Sequence, residues 1–248
     1  MIYIISIIVY IIGNLITKNV TINTSLPSIS IIVAVKNGEN SLPNILNDLI
    51  NQNYNGEYEC IIVDDQSNDQ TANIIKDFEN QNKKIRYVSS KEGNSELLFK
   101  KRALDAGITQ AKFDVLLFTD VDCRVKSTWV QSMGEYLKDN VDYIIGFSKI
   151  SSANNLISIF QKIDLTMLHS TGRATSHLNV PFASIGQNQC YRKKLYNQIG
   201  FLELKDSIQG DDTLFMQLCK KNNANIIYND SPSSIVESRK EIKILPFI

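Results

Sequence analysis

The sequence predicts an α/β fold: a mostly parallel central sheet with helices on both faces, preceded by an N-terminal hydrophobic helix. Two observations predict the sheet and one predicts the leading helix. Apolar, strand-like runs alternate with helical patterns through the first half of the chain. Two of those runs end in neighbouring carboxylates, as at the ligand-binding edge of a parallel sheet. Residues 1–16 are apolar except for Ser6, Gly13 and Asn14.

The elements follow in order after a polar linker at 21–27. The apolar run at 29–35 is typical of a strand covered on both faces. A helix is predicted next, because apolar residues from Leu42 to Ile50 recur at i, i+3, i+4, i+7 and i+8. Further strands are predicted at 58–63, 85–88, 114–119, 143–147, 226–228 and 234–236, and further helices after Asp69, at 97–108, from Ser127, along 156–167 and at 211–219.

Three segments are predicted along the chain: an N-terminal anchor helix at 1–20, a main domain at 27–237 and an apparently truncated C-terminal segment at 238–248. A 16-residue apolar helix spans about 24 Å, less than the ~30 Å of a hydrocarbon core. We therefore expect a thin or incomplete membrane anchor, with an interfacial or core helix as the alternative. Lys18 follows the run and no basic residue precedes it, which favours a cytoplasmic main domain.

Composition excludes several classes of function. The chain has 26 Lys plus Arg and 26 Asp plus Glu, so there is no electrostatic case for binding nucleic acid. The four cysteines form no Cys-x-x-Cys motif, which argues against a zinc site or a disulfide framework. Gly-x-Gly-x-x-Gly is absent, so a dinucleotide-binding oxidoreductase is not supported. A nucleotidyltransferase would need a Gly-rich basic loop after the first strand, and residues 36–39 do not form one.

The candidate chemistry lies in three acidic pairs: Asp64-Asp65, Asp120/Asp122 and Asp211-Asp212. The first two follow predicted strands, and parallel strands bring their carboxyl ends to one edge of the sheet. One carboxylate of Asp120/Asp122 can ligate Mg²⁺ or Mn²⁺ bound to a diphosphate, while the other holds a ribose or supports the metal through water. Asp211-Asp212 opens a predicted helix, where the dipole alone would favour acids. The residues by themselves leave that pair's role open.

Six segments together resemble family 2 glycosyltransferases, which have the GT-A fold. In order they are SIIVAVKN (30–37), IVDDQSNDQT (62–71), KKRALDAGI (100–108), FTDVDC (118–123), GQNQCYR (186–192) and GDDTLF (210–215). The resemblance runs from about residue 27 to about residue 237.

The resemblance implies roles for individual residues on the donor side. Asp64 and Asp65 match the acids that hold the nucleobase and ribose of a nucleotide-diphosphate sugar. Asn37 and Glu39 match the turn beneath the nucleoside, and Lys100 matches the lysine that reaches the diphosphate. Those five residues, together with Asp120, form the expected donor site.

The resemblance also implies a metal site, a base and an acceptor side. Asp120 and Asp122 match the family's Asp-x-Asp, with Asp122 as the expected direct ligand of Mg²⁺ or Mn²⁺. Asp212 matches the catalytic base, and a slip of one residue would make the base Asp211 instead. Gly186 and Asn188 are expected on the acceptor side.

The implied activity is metal-assisted, inverting transfer of a hexosyl or N-acetylhexosaminyl group to an acceptor hydroxyl. The acceptor would be a glycan or a lipid-linked molecule, in cell-surface glycan or glycolipid synthesis at a membrane. The alternative is a non-catalytic, membrane-tethered relative that acts as a binding or scaffold protein. The chain departs from the pattern where Ala34 replaces a proline, Gly38 an acid and Phe99 a glycine. No Gln-x-x-Arg-Trp, with which processive members hold a polymer, follows residue 237.

Overall fold

The computed structural model describes residues 2–16, 22, 25–151, 155–207 and 210–239. The helices are α1 (Ile2–Leu15), α2 (Leu42–Ile50), α3 (Thr71–Gln81), α4 (Phe99–Gln110), α5 (Trp129–Tyr136), α6 (Leu156–His177), α7 (Lys193–Ile199) and α8 (Thr213–Lys221). The strands are β1 (Ile29–Val35), β2 (Tyr58–Asp64), β3 (Ile85–Ser89), β4 (Val115–Phe118), β5 (Arg124–Val125), β6 (Tyr143–Gly146), β7 (Ser148–Ile150), β8 (Gln189–Arg192), β9 (Ile226–Asn229) and β10 (Val236–Ser238).

The main sheet has seven strands in the order β3-β2-β1-β4-β8-β6-β9. The pairs β3/β2, β2/β1, β1/β4 and β6/β9 are parallel, and only β8 runs antiparallel to both of its neighbours. The prediction of a mostly parallel α/β sheet is therefore confirmed. A small second sheet has the order β5-β10-β7.

Two apolar layers cover the two faces of the main sheet. Alternate side chains of a strand point to opposite faces, so Ile31 and Val33 of β1 pack with α2 and α5 while Ile32 packs with α4 and α8. Helix α4 lies very close to the sheet, because a Cβ at Gly107 would come within 2.7 Å of the Ile32 side chain. This packing fixes α4, and with it Lys100, over the strand ends.

Several helices begin later than the sequence indicated. The helix expected from 97 begins at Phe99, the one expected from Ser127 begins at Trp129, and the one expected from 211 begins at Thr213. In the last case Asp212 lies outside the helix and caps it, accepting a hydrogen bond from the Thr213 N–H. No sequence pattern predicts β8, because its four residues mix polar and apolar side chains without a regular period.

The N-terminal helix α1 packs against α6. A Cβ at Gly13 would lie 2.5 Å from the Ala174 carbonyl oxygen, so only a residue without a side chain permits this crossing. The Asn14 side-chain amide donates to the Ser170 carbonyl at 3.2 Å, and Arg173 donates to the Asn14 carbonyl at 2.7 Å. Within the described ranges, no helix combines the length and the apolar character needed to cross a membrane. The predicted segment at 238–248 lies outside the described residues except for Ser238 and Arg239.

Candidate active site

The Asp120/Asp122 pair lies in the turn directly after β4, the strand at the centre of the sheet. The Cys123 N–H donates to the Asp120 carbonyl at 3.2 Å and closes this turn. Asp120 Oδ1 lies 2.7 Å from Lys100 Nζ. Asp122 instead borders a cavity of about 380 Å³, which Asn44, Glu237 and other polar side chains also line. Although they are one residue apart, the two carboxylates therefore have different neighbours: Asp120 contacts Lys100, and Asp122 borders the cavity.

Lys100 joins the strand-end carboxylates to the acids of α8. Its ammonium lies 2.7 Å from Asp120 Oδ1 and 3.5 Å from Asp211 Oδ2. Burial opposes the ammonium charge, but the nearby Asp120 and Asp211 outweigh it and raise the pKa of Lys100. Lys100 therefore stays protonated at any physiological pH. It supplies a fixed positive charge where two acidic segments meet.

The Asp212 carboxylate is hydrogen-bonded to the loop before β8 and still lies close enough to Lys100 for the two charges to interact. Its Oδ2 accepts a hydrogen bond from the Gly186 N–H at 3.3 Å, and its Oδ1 accepts one from the Thr213 N–H at 2.5 Å. Gly186 packs against this junction: a Cβ there would lie 3.4 Å from both Lys100 Nζ and Asp211 Oδ2. The predicted residues Gly186, Asp211 and Asp212 are therefore brought together with Lys100 and Asp120.

The pKa values of Asp212 and Asp122 are both raised, which is the direction expected of a general base. Burial, and then the neighbouring Asp211, raise the pKa of Asp212 above its ordinary value, against the opposing effect of the Thr213 and Gly186 N–H groups. Burial, and then Asp120, likewise raise the pKa of Asp122. A raised pKa makes a carboxylate a better proton acceptor, and such shifts concentrate at functional sites.

The predicted nucleoside-binding residues lie in two turns that are bonded to each other. The Asn68 N–H donates to Asn37 Oδ1 at 2.8 Å, and the Gln70 N–H donates to Glu39 Oε2 at 3.0 Å. Asn37 has a φ of 51°, a left-handed conformation that asparagine tolerates better than most residues. These side chains hold the turns after β1 and β2 together, which makes this edge of the site rigid.

Asp64 and Asp65 are neighbours with different surroundings. Asp64 is buried and accepts the Ser67 N–H at 3.1 Å, so its carboxylate shapes the turn itself. The carboxylate of Asp65 lies 3.8 Å from Lys36 Nζ and is only partly buried. Of the two, Asp65 is the one whose carboxylate a ligand could reach.

One predicted site residue is wrong. Asn188 is fully buried and faces the core: it accepts the Trp129 indole N–H at 3.0 Å and donates to the Phe147 and Ser234 carbonyls at 2.8 Å. An acceptor cannot reach this amide, so Asn188 does not belong to the acceptor side. At this position of the motif the side chain serves packing.

The structure adds Arg239, which the sequence analysis did not select. Arg239 lines the cavity beside Asp122, and its positive charge opposes the rise in the pKa of that carboxyl. It follows β10, far along the chain from Asp122, and no motif marks it. Only the pairing of β10 with β5 and β7 brings it to this edge of the main sheet.

The residues at the end of β4 suit a hard divalent cation. Among the described residues, no group of three His, Cys, Asp or Glu side chains converges to hold a metal. Mg²⁺ is commonly bound through one or two carboxylates, with water and substrate phosphates completing its shell. Asp120 and Asp122 provide that oxygen donor set. Burial and the like charge of Asp120 raise the pKa of Asp122, so a cation beside the pair would be favourable. The donor set therefore fits Mg²⁺ or Mn²⁺.

Solved structures with the same fold are glycosyltransferases. A mannosyltransferase from Pyrobaculum calidifontis, PcManGT, solved with GDP-Man and Mn²⁺, matches with a TM-score of 0.70 at 14% identity, over 97% of this chain and 64% of that one. TarS 1–349 from S. aureus, solved with UDP-GlcNAc, matches with a TM-score of 0.60 at 21% identity, over 87% of this chain and 59% of that one. These similarities establish the GT-A type of fold.

Sequence relatives lead to the same group of proteins. Chondroitin synthase of Pasteurella multocida is 27% identical over 181 residues, which is 72% of this chain and 18% of that protein. The 4,4'-diaponeurosporenoate glycosyltransferase of Staphylococcus haemolyticus is 32% identical over 100 residues, 40% of this chain and 25% of that protein. The chain thus spans a quarter or less of the length of these relatives. The family model described as Glycosyl transferase family 2 matches residues 30–200, and the chain belongs to that family.

Proposed function

We propose that the protein transfers a sugar from a nucleotide-diphosphate sugar to an acceptor hydroxyl, with inversion at the anomeric carbon. The observation that carries this proposal is the convergence of Asp120, Lys100, Asp211 and Asp212 in a family 2 chain. Gly186 lies where the Lys100 ammonium and the carboxylate of Asp212, whose pKa is raised, come close together.

Asp212 is the proposed general base. Its carboxylate takes the proton of the acceptor hydroxyl while that oxygen attacks the anomeric carbon from the face opposite the nucleotide. The new carbon–oxygen bond forms as the bond to the diphosphate breaks, and the nucleoside diphosphate leaves with the electron pair. The Gly186 and Thr213 N–H groups hold the carboxylate in one orientation through this step. Such a base contributes about 10²–10⁴-fold to the rate.

Lys100 is the proposed partner of the leaving group. Its permanent charge is directed at the diphosphate, where negative charge grows as the glycosidic bond breaks. Asp122 and Asp120 are the residues that would hold Mg²⁺ or Mn²⁺, which when bound would supply further positive charge to the diphosphate. Asp65, Asn37 and Glu39 belong to the proposed nucleoside end, and Asp64 supports it by holding its turn.

The donor and acceptor classes follow from similarity rather than from the site. PcManGT was solved with GDP-Man and TarS with UDP-GlcNAc, so both a guanosine and a uridine nucleotide, and both a hexosyl and an N-acetylhexosaminyl group, stay within the proposal. The relatives include a polysaccharide synthase and a synthase named for a glucosyldiacylglycerol. We therefore keep a glycan and a lipid-linked molecule as the two acceptor classes.

Association with a membrane is also part of the proposal, with the main domain in the cytoplasm. Exposed apolar side chains on α1 and α6 support it. They are Ile4, Ile7, Ile8, Val9, Ile11, Ile12 and Leu15 on α1, and Leu156, Ile159, Phe160, Ile163, Met167 and Leu168 on α6. On α1 they surround most of the helix circumference, a distribution typical of a helix in apolar surroundings.

The deciding experiment is a screen of nucleotide sugars with Mg²⁺ or Mn²⁺, which measures nucleotide release with and without simple sugar acceptors. We expect release with at least one uridine or guanosine donor, and none when the cation is chelated. A protein that bound no nucleotide at any cation concentration would instead support the scaffold alternative.

Sedimentation with phospholipid vesicles tests the membrane proposal separately, with F160S/M167S as the variant expected to lose binding.

A further inference from the structure

The adjacent acids Asp211 and Asp212 have different partners, although the sequence could not distinguish them. We propose that Asp211 is a positioning residue that holds the Lys100 ammonium in place for the diphosphate, while Asp212 alone faces the acceptor. This inference rests on the proposed function and assigns the second acid of the pair a role in it.

The ammonium of Lys100 is fixed from two sides. Asp120 Oδ1 at 2.7 Å and Asp211 Oδ2 at 3.5 Å come from different segments, the turn after β4 and the residues before α8. An ammonium has three N–H donors. Asp120 accepts a hydrogen bond from one of them, and Asp211 forms an ion pair with the same ammonium. Among the described residues, at least one donor is left for a ligand oxygen.

Fixing this side chain matters because lysine is flexible. A free lysine side chain loses up to about 2 kcal/mol of conformational entropy when a ligand orders it. The Lys100 side chain is 39% exposed, so packing alone does not hold it. Because Asp120 also belongs to the proposed metal site, Asp211 is the partner that can keep the ammonium in place when Asp120 turns to a cation.

The backbone of Asp211 is hydrogen-bonded to a buried side chain of β8. The Gln189 side-chain amide donates to the Asp211 carbonyl at 3.5 Å, and Gln189 Oε1 accepts the hydroxyls of Tyr143 and Ser184. Gln189, Tyr143 and Ser184 are all buried. The Asp211 backbone is thus linked to the antiparallel part of the sheet, and its side chain is only 12% exposed, so the carboxylate is not a free surface acid.

The test compares binding of nucleoside diphosphate and monophosphate by calorimetry, with Mn²⁺ present. UDP with UMP and GDP with GMP are the probes. We expect D211N to weaken diphosphate binding about tenfold, as expected for the loss of one charged contact. Monophosphate binding should stay within twofold, because Lys100 is placed for the second phosphate. D164N, which removes an exposed acid of α6, is the matched control and should change neither affinity.

A double-mutant cycle separates positioning from mere support of the fold. If Asp211 acts through Lys100, D211N adds nothing to K100M, and the double variant binds the diphosphate as K100M does. D211E, which keeps the charge, should recover most of the affinity. Additive losses, or equal losses of mono- and diphosphate binding, would overturn the inference, and so would sugar transfer that D211N abolishes and D212N spares. If the wild type binds neither diphosphate, the proposed function itself fails.

Discussion

The proposed nucleoside end and the proposed acceptor end of the site use the same residue types in opposite ways. At the nucleoside end, Asn37, Glu39 and Asp64 accept backbone N–H groups of neighbouring turns. At the acceptor end, Asp212 also accepts two N–H groups, yet burial and Asp211 still raise its pKa. What distinguishes the ends is how far the charge is compensated: a carboxylate matched by donors stabilises a turn, whereas one crowded by another acid is prepared to take a proton.

Asp69 shows the compensated case. Its carboxylate accepts the N–H groups of Thr71 and Glu39, and although slight burial acts the other way, these hydrogen bonds lower its pKa. Asp212 has a similar number of N–H partners and the opposite shift. Counting hydrogen bonds therefore does not identify the reactive acid. Burial of the acid, together with a neighbour of like charge, separates the two cases.

The largest effect should come from Asp212. We expect D212N to reduce sugar transfer by about 10²–10⁴-fold, because the amide cannot take the acceptor proton. Binding of the nucleoside diphosphate should be retained. The free energy of unfolding should fall by only about 1 kcal/mol, because the asparagine oxygen can still cap the helix while the Gly186 N–H loses its acceptor. Transfer rates and calorimetry on the same preparation check this. Persistent transfer in D212N would show that the base is another residue.

As the pH falls, we expect the contacts of α6 to lose their contribution to stability before the turns after β1 and β2 lose theirs. Burial lowers the pKa of His169 from its ordinary 6.5 to about 4. The Ser148 N–H donates to Nε2 at 3.0 Å, so the ring is neutral with its proton on Nδ1, facing the Tyr228 hydroxyl. The folded state therefore favours the neutral ring. The contribution of His169 to the free energy of unfolding is complete above pH 6.5 and is lost as the pH falls toward 4.

The expected loss is about 3 kcal/mol, at 1.36 kcal/mol for each pKa unit. Urea denaturation between pH 7.5 and 4.5 measures it, and H169Q should flatten the slope in that window. Asp69, whose pKa is lowered, instead loses its contribution only below its unfolded pKa of about 4. A slope unchanged by H169Q would assign the acid sensitivity to other groups.

Asp64 and Asp65 provide a smaller contrast. D64A should lower the free energy of unfolding by about 1–3 kcal/mol, because the half-buried Ser67 N–H loses its charged acceptor. D65A should leave stability within about 0.5 kcal/mol and weaken nucleotide binding instead. Denaturation and calorimetry on both variants separate the two effects. The reverse pattern would mean that Asp64, not Asp65, contacts the nucleoside.

The smallest expected effect is at Phe99, where the chain departs from the family's glycine. Phe99 has a φ of 54°, a left-handed conformation that costs an L-residue about 1–2 kcal/mol. F99G removes that strain but adds freedom to the unfolded chain, so a net gain of about 0.5 kcal/mol is expected. L98G is the control: Leu98 has a φ of −116°, and glycine there should only destabilise. Loss of stability in F99G would mean that the ring makes contacts that outweigh the strain.

The regular part of this fold could be predicted because its signals are local. Continuous apolar runs such as 29–35 mark strands buried on both faces, and the carboxyl ends of parallel strands must meet at one edge. That argument predicted that Asp64-Asp65 and Asp120/Asp122 lie at the same edge of the sheet, and β2 and β4 are indeed both parallel to β1. It could not place β8, whose four residues carry no period and pair only because β4 and β6 leave a gap between them.

The sequence by itself determined the α/β class, the residues at the strand ends and the family to which the motifs belong. The tertiary structure alone decided that Asn188 is a core amide, that Arg239 reaches the cavity beside Asp122, and that Asp211 and Asp212 face different partners. The reason is physical: a motif fixes which side chains are available, but burial and the charges brought in by distant segments decide what each one does.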